Sequence, residues 1–196
     1  MNKFLTGVLL LNLSLFQQMA AQEDSLPEPY LNYTDNGLVY NTVFQYKDFS
    51  FSGLMVVKQE AESYHVVLLS KLGVTIIDLL LTDGNLIWKK VPEAMDKKTI
   101  RHFMEKDFNL LFLTTLQKPE KFKKKDDGFK VTSGDKIRVW LSASGDKVIA
   151  AERRKFINFF KSKTVFYYTN DDLIPDEICL THRNIRMKIA MNLLEQ

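Results

Sequence analysis

A single cysteine, Cys179, excludes a disulfide within the chain, and its distance from the amino terminus leaves no thiol there to carry a lipid anchor. Its apolar neighbours predict a buried, inert thiol. Glycine is scarce, with 8 residues in 196, and none forms a phosphate-cradling loop or a nucleophile elbow. The three histidines, His65, His102 and His182, fall on different predicted elements without metal-ligand spacing, so they are expected to be surface or half-buried side chains. These absences predict a protein that is not an enzyme, with no catalytic residues, no metal and no cofactor. Charge of one sign is lacking too. A net charge of +3 is too small and scattered for nucleic acid. The one dense basic run, Lys118 to Lys125, is followed at once by Asp126-Asp127 and reads as a solvated, mobile loop. No segment beyond the first residues is long and apolar enough to span a membrane.

What is present begins with an address. Met1-Asn2-Lys3 supplies a basic start, Phe4 to Phe16 an apolar stretch, and Met19-Ala20-Ala21 a small-residue end, so residues 1–21 read as a signal peptide cleaved after Ala21. The exported product is expected to be soluble. Asn32-Tyr33-Thr34 matches a glycosylation acceptor, which matters only in a eukaryotic secretory pathway. With 45% hydrophobic and 26% charged residues, the chain has the composition of an ordinary globular domain and not of a disordered one. Residues 22–41 read as a lead-in containing Pro27 and Pro29, and 42–196 as one domain.

The most informative stretch is Tyr64 to Val91. Two apolar runs, Tyr64 to Leu69 and Val74 to Leu81, flank the break Ser70-Lys71-Leu72-Gly73. Each is apolar on both faces, which predicts a hairpin with a core on one side and a second greasy surface on the other. Leu72 sits in the break, where a polar residue is usual, and an exposed leucine at a loop tip is suited to touching a membrane or a lipid. Asp78, between Ile77 and Leu79, shares its face with Ile76 and Leu80; a structural pairing or a place at a barrel mouth accounts for it better than catalysis does.

Thr42 to Lys58 reads as one long strand bent at Gly53, and Asp83-Gly84-Asn85 as a hairpin turn into Leu86-Ile87-Trp88. Asp96 is a good N-cap, and Ile100, Phe103, Met104, Asp107, Phe108 and Leu111 recur at helical spacing, predicting a helix from Lys97 to Leu113. Beyond it, Phe129–Thr132, Lys136–Ser142, Val148–Arg154 and Thr164–Thr169 read as strands. A last long strand is predicted from Glu177 to Leu194 on the alternation of Ile185, Met187, Ile189, Met191 and Leu193. The sum is mainly β: a single curved antiparallel sheet with one helix over its concave face.

Tyr64-His65-Val66-Val67-Leu68-Leu69-Ser70-Lys71-Leu72-Gly73-Val74-Thr75 resembles the strand, protruding loop and strand of the LolB receptors, which take lipoproteins from the carrier LolA and insert them into the outer membrane. The closing segments Ile174-Pro175, Ile178-Cys179-Leu180-Thr181 and Ile185-Arg186-Met187-Lys188-Ile189 are similar to that family's last strands, and the order of elements agrees. The lipidated cysteine of the receptors is absent here. The resemblance implies an incomplete antiparallel β-barrel with a helical lid, an acyl-chain cavity, and a periplasmic protein that binds lipid or acylated lipoprotein during lipoprotein localisation. Leu72 occupies the place of the family's protruding apolar residue, linked to membrane insertion, which implies peripheral membrane contact. Such a cavity needs a continuous apolar surface, and Val66, Leu68, Ile76, Val139, Met187 and Ile189 are its expected lining. A non-transporting envelope scaffold that reuses the fold is the alternative.

Overall fold

Period-two alternation carries most of the chain into strands, and the computed structural model describes them within residues 26–34, 36–116, 119–133, 136–155, 160–183 and 185–195. The expected signal peptide lies outside these residues. The strands are β1 (Leu38–Tyr46), β2 (Phe49–Glu60), β3 (Ser63–Ser70), β4 (Thr75–Thr82), β5 (Asn85–Lys90), β6 (Pro119–Lys125), β7 (Gly128–Ser133), β8 (Ile137–Leu141), β9 (Val148–Lys155), β10 (Phe160–Tyr167), β11 (Glu177–His182) and β12 (Met187–Glu195). Together they form one 12-stranded antiparallel sheet in the order β5-β4-β3-β2-β1-β12-β11-β10-β9-β8-β7-β6. Every strand pairs with its neighbour in sequence except where β1 meets β12, in the middle of the sheet. The edges β5 and β6 are not paired with each other, so the barrel is incomplete. Helix α1 (Lys98–Phe112) lies between them in sequence and packs across β9, β10 and β11.

The helix matches its predicted span to within a residue at each end. Its cap does not match: Lys97 is the N-cap and contributes no side-chain cap bond, while Asp96 instead pairs with Arg101 at 2.6 Å. Met104, Phe108, Leu111 and Phe112 are fully buried, and Ile100 and Phe103 half-buried, so the apolar stripe faces the sheet with its centre nearer the C-terminal half than expected.

Four sequence expectations are corrected. Thr42 to Lys58 is two strands, because Lys47 turns the chain in a left-handed conformation (φ 53°) and Tyr46 pairs with Phe49. Gly53 is not a bend but a close approach: a Cβ there would stand 1.7 Å from the Leu69 carbonyl oxygen, so any side chain would push β2 off β3. Glu177 to Leu194 is likewise two strands, with Arg183 to Arg186 reversing the chain through a left-handed Arg186 (φ 49°). The lysine-rich run is not a loop, since Pro119 to Lys125 pairs with β7 as an edge strand; Lys118 lies outside the described residues. Backbone pairing does not require apolar side chains, and lysines on an edge discourage a further strand from adding. Phe122 alone in that run packs against the core.

Within the expected lead-in, Tyr30–Tyr33 forms a single 3₁₀ turn with Tyr30 and Leu31 buried. There Asn32 of the glycosylation motif accepts a hydrogen bond from the Tyr64 hydroxyl and donates to Glu28 at 3.3 Å. Among the described residues no helix is long and apolar enough to cross a membrane.

Candidate functional site

The pleat of each strand sends alternate side chains to the concave side, where they form one continuous apolar cluster with the buried face of α1. Val66 and Leu68 on β3, Val139 on β8, and Met187 and Ile189 on β12 all belong to it and are fully buried. Ile76 is set apart from them. Register pairs Leu68 with Ile77 and Val66 with Leu79, so Ile77, Leu79 and Leu81 are the inward residues of β4, and half-buried Ile76 shares the outer face with Asp78 and Leu80. Helix side chains occupy the concavity: the Phe108 ring meets Trp88 of β5 edge-on at 6.4 Å and Phe112 at 5.9 Å. An open cleft of about 510 Å³ runs between β5 and the N-terminal half of α1, lined by Leu86, Trp88, Arg101, His102 and Glu105 among others.

Polar anchors hold the helix over this interior. Asp107 and His182 are both buried, and the His182 Nδ1–H donates to Asp107 Oδ2 at 2.7 Å, joining α1 to β11. A carboxylate can only accept, so the ring nitrogen facing it carries the proton. Asp107 Oδ1 and His182 Nε2 are buried without a hydrogen-bond partner, and the Phe103 ring lies edge-on to the imidazole at 5.4 Å. His182 therefore departs from the exposed or half-buried role expected of it. Near the helix end the Asn109 amide donates to the Gly84 carbonyl in the β4–β5 turn and accepts from Thr114 Oγ1 at 2.6 Å. The Tyr30 hydroxyl donates to the Leu111 carbonyl at 3.3 Å. Burial, reinforced by Tyr40 and Tyr168, pushes that phenol well above its ordinary range, which keeps it a donor.

On the outer face Asp78 has the structural pairing expected of it. His65 stands between Asp78 at 2.8 Å and Glu60 at 3.0 Å. Cys179 is half-buried on β11, less enclosed than its neighbours suggest. Among the described residues no group of three or more His, Cys, Asp or Glu side chains is placed to hold a metal ion.

Leu72 is 91% exposed and Val74 58%. The loop that carries them is fixed by its own bonds: Ser70 N–H to the Val74 carbonyl at 2.8 Å, Gly73 N–H to the Ser70 carbonyl at 2.9 Å, and Val74 N–H to Ser70 Oγ at 3.0 Å. Gly73 takes φ 77°, open to glycine at no steric cost. The tip is thus an apolar projection on a defined turn.

No protein-family model matches the sequence, and no curated protein matches it. Solved structures do match by shape. A LolA-superfamily protein of Nitrosomonas europaea aligns with a TM-score of 0.51 at 11% identity, over 85% of this chain and 90% of that one. A domain from Vibrio parahaemolyticus named for outer-membrane lipoprotein sorting aligns with a TM-score of 0.48 at 10% identity, over 81% of this chain and 83% of that one. The open antiparallel sheet curved around the one α-helix of the described residues, superposable on the first of these over 85% of the chain, is the LolA-type fold.

Proposed function

We propose that the protein is a periplasmic binding protein for lipid or acylated lipoprotein, acting in lipoprotein localisation to the outer membrane, with acyl chains held against the concave face under α1. The observation that supports it is the interior itself: an apolar surface continuous across an unclosed sheet and covered by one helix instead of a second sheet. Each methylene moved from water to such a surface is worth about 0.8 kcal/mol, so a long chain repays displacement of helix side chains. Access runs through the cleft beside β5, where the N-terminal half of α1 is half-exposed. An apolar fluorescent probe should bind the folded protein and be displaced by fatty acid. Probe fluorescence unaltered by saturating fatty acid removes the main support for this reading.

A second reading has its own observation. With Met104, Phe108 and Leu111 at 0% exposure the concavity is already occupied, as suits a scaffold that binds no lipid. Mass spectrometry of lipid co-purifying with the protein from its own envelope separates the two: recovered phospholipid or acylated peptide favours the carrier, and clean protein the scaffold.

The Leu72 loop is the proposed membrane contact. A leucine that is 91% exposed adds little to folding, yet its burial in a bilayer is worth about 1.5 to 3 kcal/mol. Leu72→Glu should leave the thermal midpoint nearly unchanged and weaken co-sedimentation with vesicles. A lowered midpoint with equal sedimentation would make Leu72 a structural residue.

A further inference from the structure

Because the strands run up and down in sequence order, the connecting turns fall into two groups at opposite ends of the barrel. One end carries the β1–β2 turn, the β3–β4 loop and the β11–β12 turn. Their exposed charges are Lys47, Lys71, Arg183 and Arg186, with Lys188 just inside β12, against a single acid, Asp48. Two of these turns touch, the Lys47 N–H donating to the Arg186 carbonyl at 3.0 Å. The β5–α1 link at the same end is mixed, Glu93 and Asp96 being answered by Lys90 and Lys97.

The opposite end has the other sign. Glu62, Asp83, Asp126 and Asp127 stand in its three two-residue turns, and Asp146, Asp171, Asp172 and Asp176 in its two longer connections. Lys124 and Lys125 at the end of β6 border Asp126 and Asp127, and the one cation within these turns, Lys147, is engaged by the Asn170 carbonyl at 3.1 Å, by Asp171 at 3.8 Å and by the Tyr168 ring. The small net charge of +3 therefore conceals two oppositely charged ends.

The most exposed apolar side chain, Leu72 at 91%, is on the cationic end, whereas Tyr167 and Leu194, at 53% and 57%, stand at strand ends on the acidic one. On the cationic end Leu72 and Val74 project beside Lys71, and Phe49, 37% exposed, follows the Lys47-Asp48 turn. Apolar tips ringed by lysine and arginine match the interface of a bilayer bearing negative headgroups, where the tips leave water and each cation meets a phosphate. An acidic far end is repelled by the same surface and sets the orientation.

We infer that the protein docks end-on to an anionic phospholipid bilayer through the rim formed by Lys47, Lys71, Arg183 and Arg186 around the Leu72 tip. This names the chemistry of the membrane proposed above to receive Leu72 and rests on that reading.

Sedimentation with vesicles of phosphatidylcholine alone, and of phosphatidylcholine mixed with phosphatidylglycerol, tests it. The protein should partition to the mixed vesicles and be released from them by high salt. The double variant Lys71→Glu/Arg183→Glu should lose about tenfold in partitioning, since each basic residue at a charged surface contributes appreciably. Lys123→Glu/Lys124→Glu changes net charge by the same amount on exposed residues near the acidic end, and should bind as the parent does. Thermal melts confirm that both are folded. Equal loss in the two double variants overturns the inference, because net charge and not the rim would then set binding. Equal partitioning to both vesicle types overturns it while leaving the Leu72 contact in place. Absence of sedimentation with either vesicle, in protein that still exchanges its apolar probe for fatty acid, overturns docking, leaves the carrier reading standing, and turns attention to an acidic protein partner.

Discussion

Asp107→Leu is expected to lower stability by about 3 to 5 kcal/mol, the cost of leaving one member of a buried ionisable pair without the other. Both groups are all but inaccessible, at 1% and 5% exposure, and His182 donates to Asp107 across 2.7 Å. Removing the carboxylate leaves an imidazole whose Nε2 already lacks a partner with neither nitrogen bonded. His182→Leu strands the carboxylate in the same way. The double replacement Asp107→Leu/His182→Leu should restore most of the loss, because two apolar side chains meet the same volume without a desolvation penalty. Denaturant midpoints of the four proteins measure it. Single variants within about 1 kcal/mol of the parent, a size typical of ordinary substitutions, would show that the pair does not hold α1 to β11.

Phe108→Ala should cost a comparable amount, about 3 to 5 kcal/mol, as large-to-small replacements of buried aromatics do. The ring has no exposure and is held between Trp88 and Phe112. Its removal opens a void at the centre of the helix–sheet contact, and the sheet, tied by its own hydrogen bonds, cannot collapse to fill it. Trp88 reports the change, since its indole loses the ring packed edge-on against it. An unchanged emission spectrum together with an unchanged midpoint would mean that the helix is not seated where described.

How much of this was legible in the sequence depended on phase. The helix was readable because Met104, Phe108 and Leu111 recur at a period no strand shares. The β3–β4 hairpin and the Asp83-Gly84 turn were readable because composition and turn residues agree, and Asp83 and Gly84 both take left-handed conformations there. The reversal after Tyr46 left a trace: inward residues are even-numbered through Phe44 and Tyr46 and odd-numbered at Met55 and Val57. Without a glycine or proline to mark it, that change of parity passes for one long strand. The Arg183–Arg186 reversal left the same trace, inward residues being even-numbered at Ile178, Leu180 and His182 and odd-numbered at Met187, Ile189 and Met191. Ile76 illustrates a different limit. Both faces of β4 are apolar, so only its register against β3 identifies Ile77 as the inward residue. Asp107 stands on the apolar stripe of the helix, where a buried carboxylate calls for a partner, a signal not used in reading the sequence; the fold identifies that partner as His182.

The seam between β1 and β12 joins the first described strand to the last, with Tyr40 opposite Leu193. Every other strand pairing links neighbours in sequence and can form as soon as both are made. A chain synthesised from its amino terminus therefore carries β1 with one edge bare until the final strand arrives, and that edge is an uncovered ladder flanked by Tyr40 and Phe44. Closing a loop of nearly the entire chain is the slowest kind of contact to make, so completion of the sheet comes late in folding. During that interval the exposed edge invites pairing with a second copy, and loss of the last nine-residue strand would divide the sheet into two separately frayed halves.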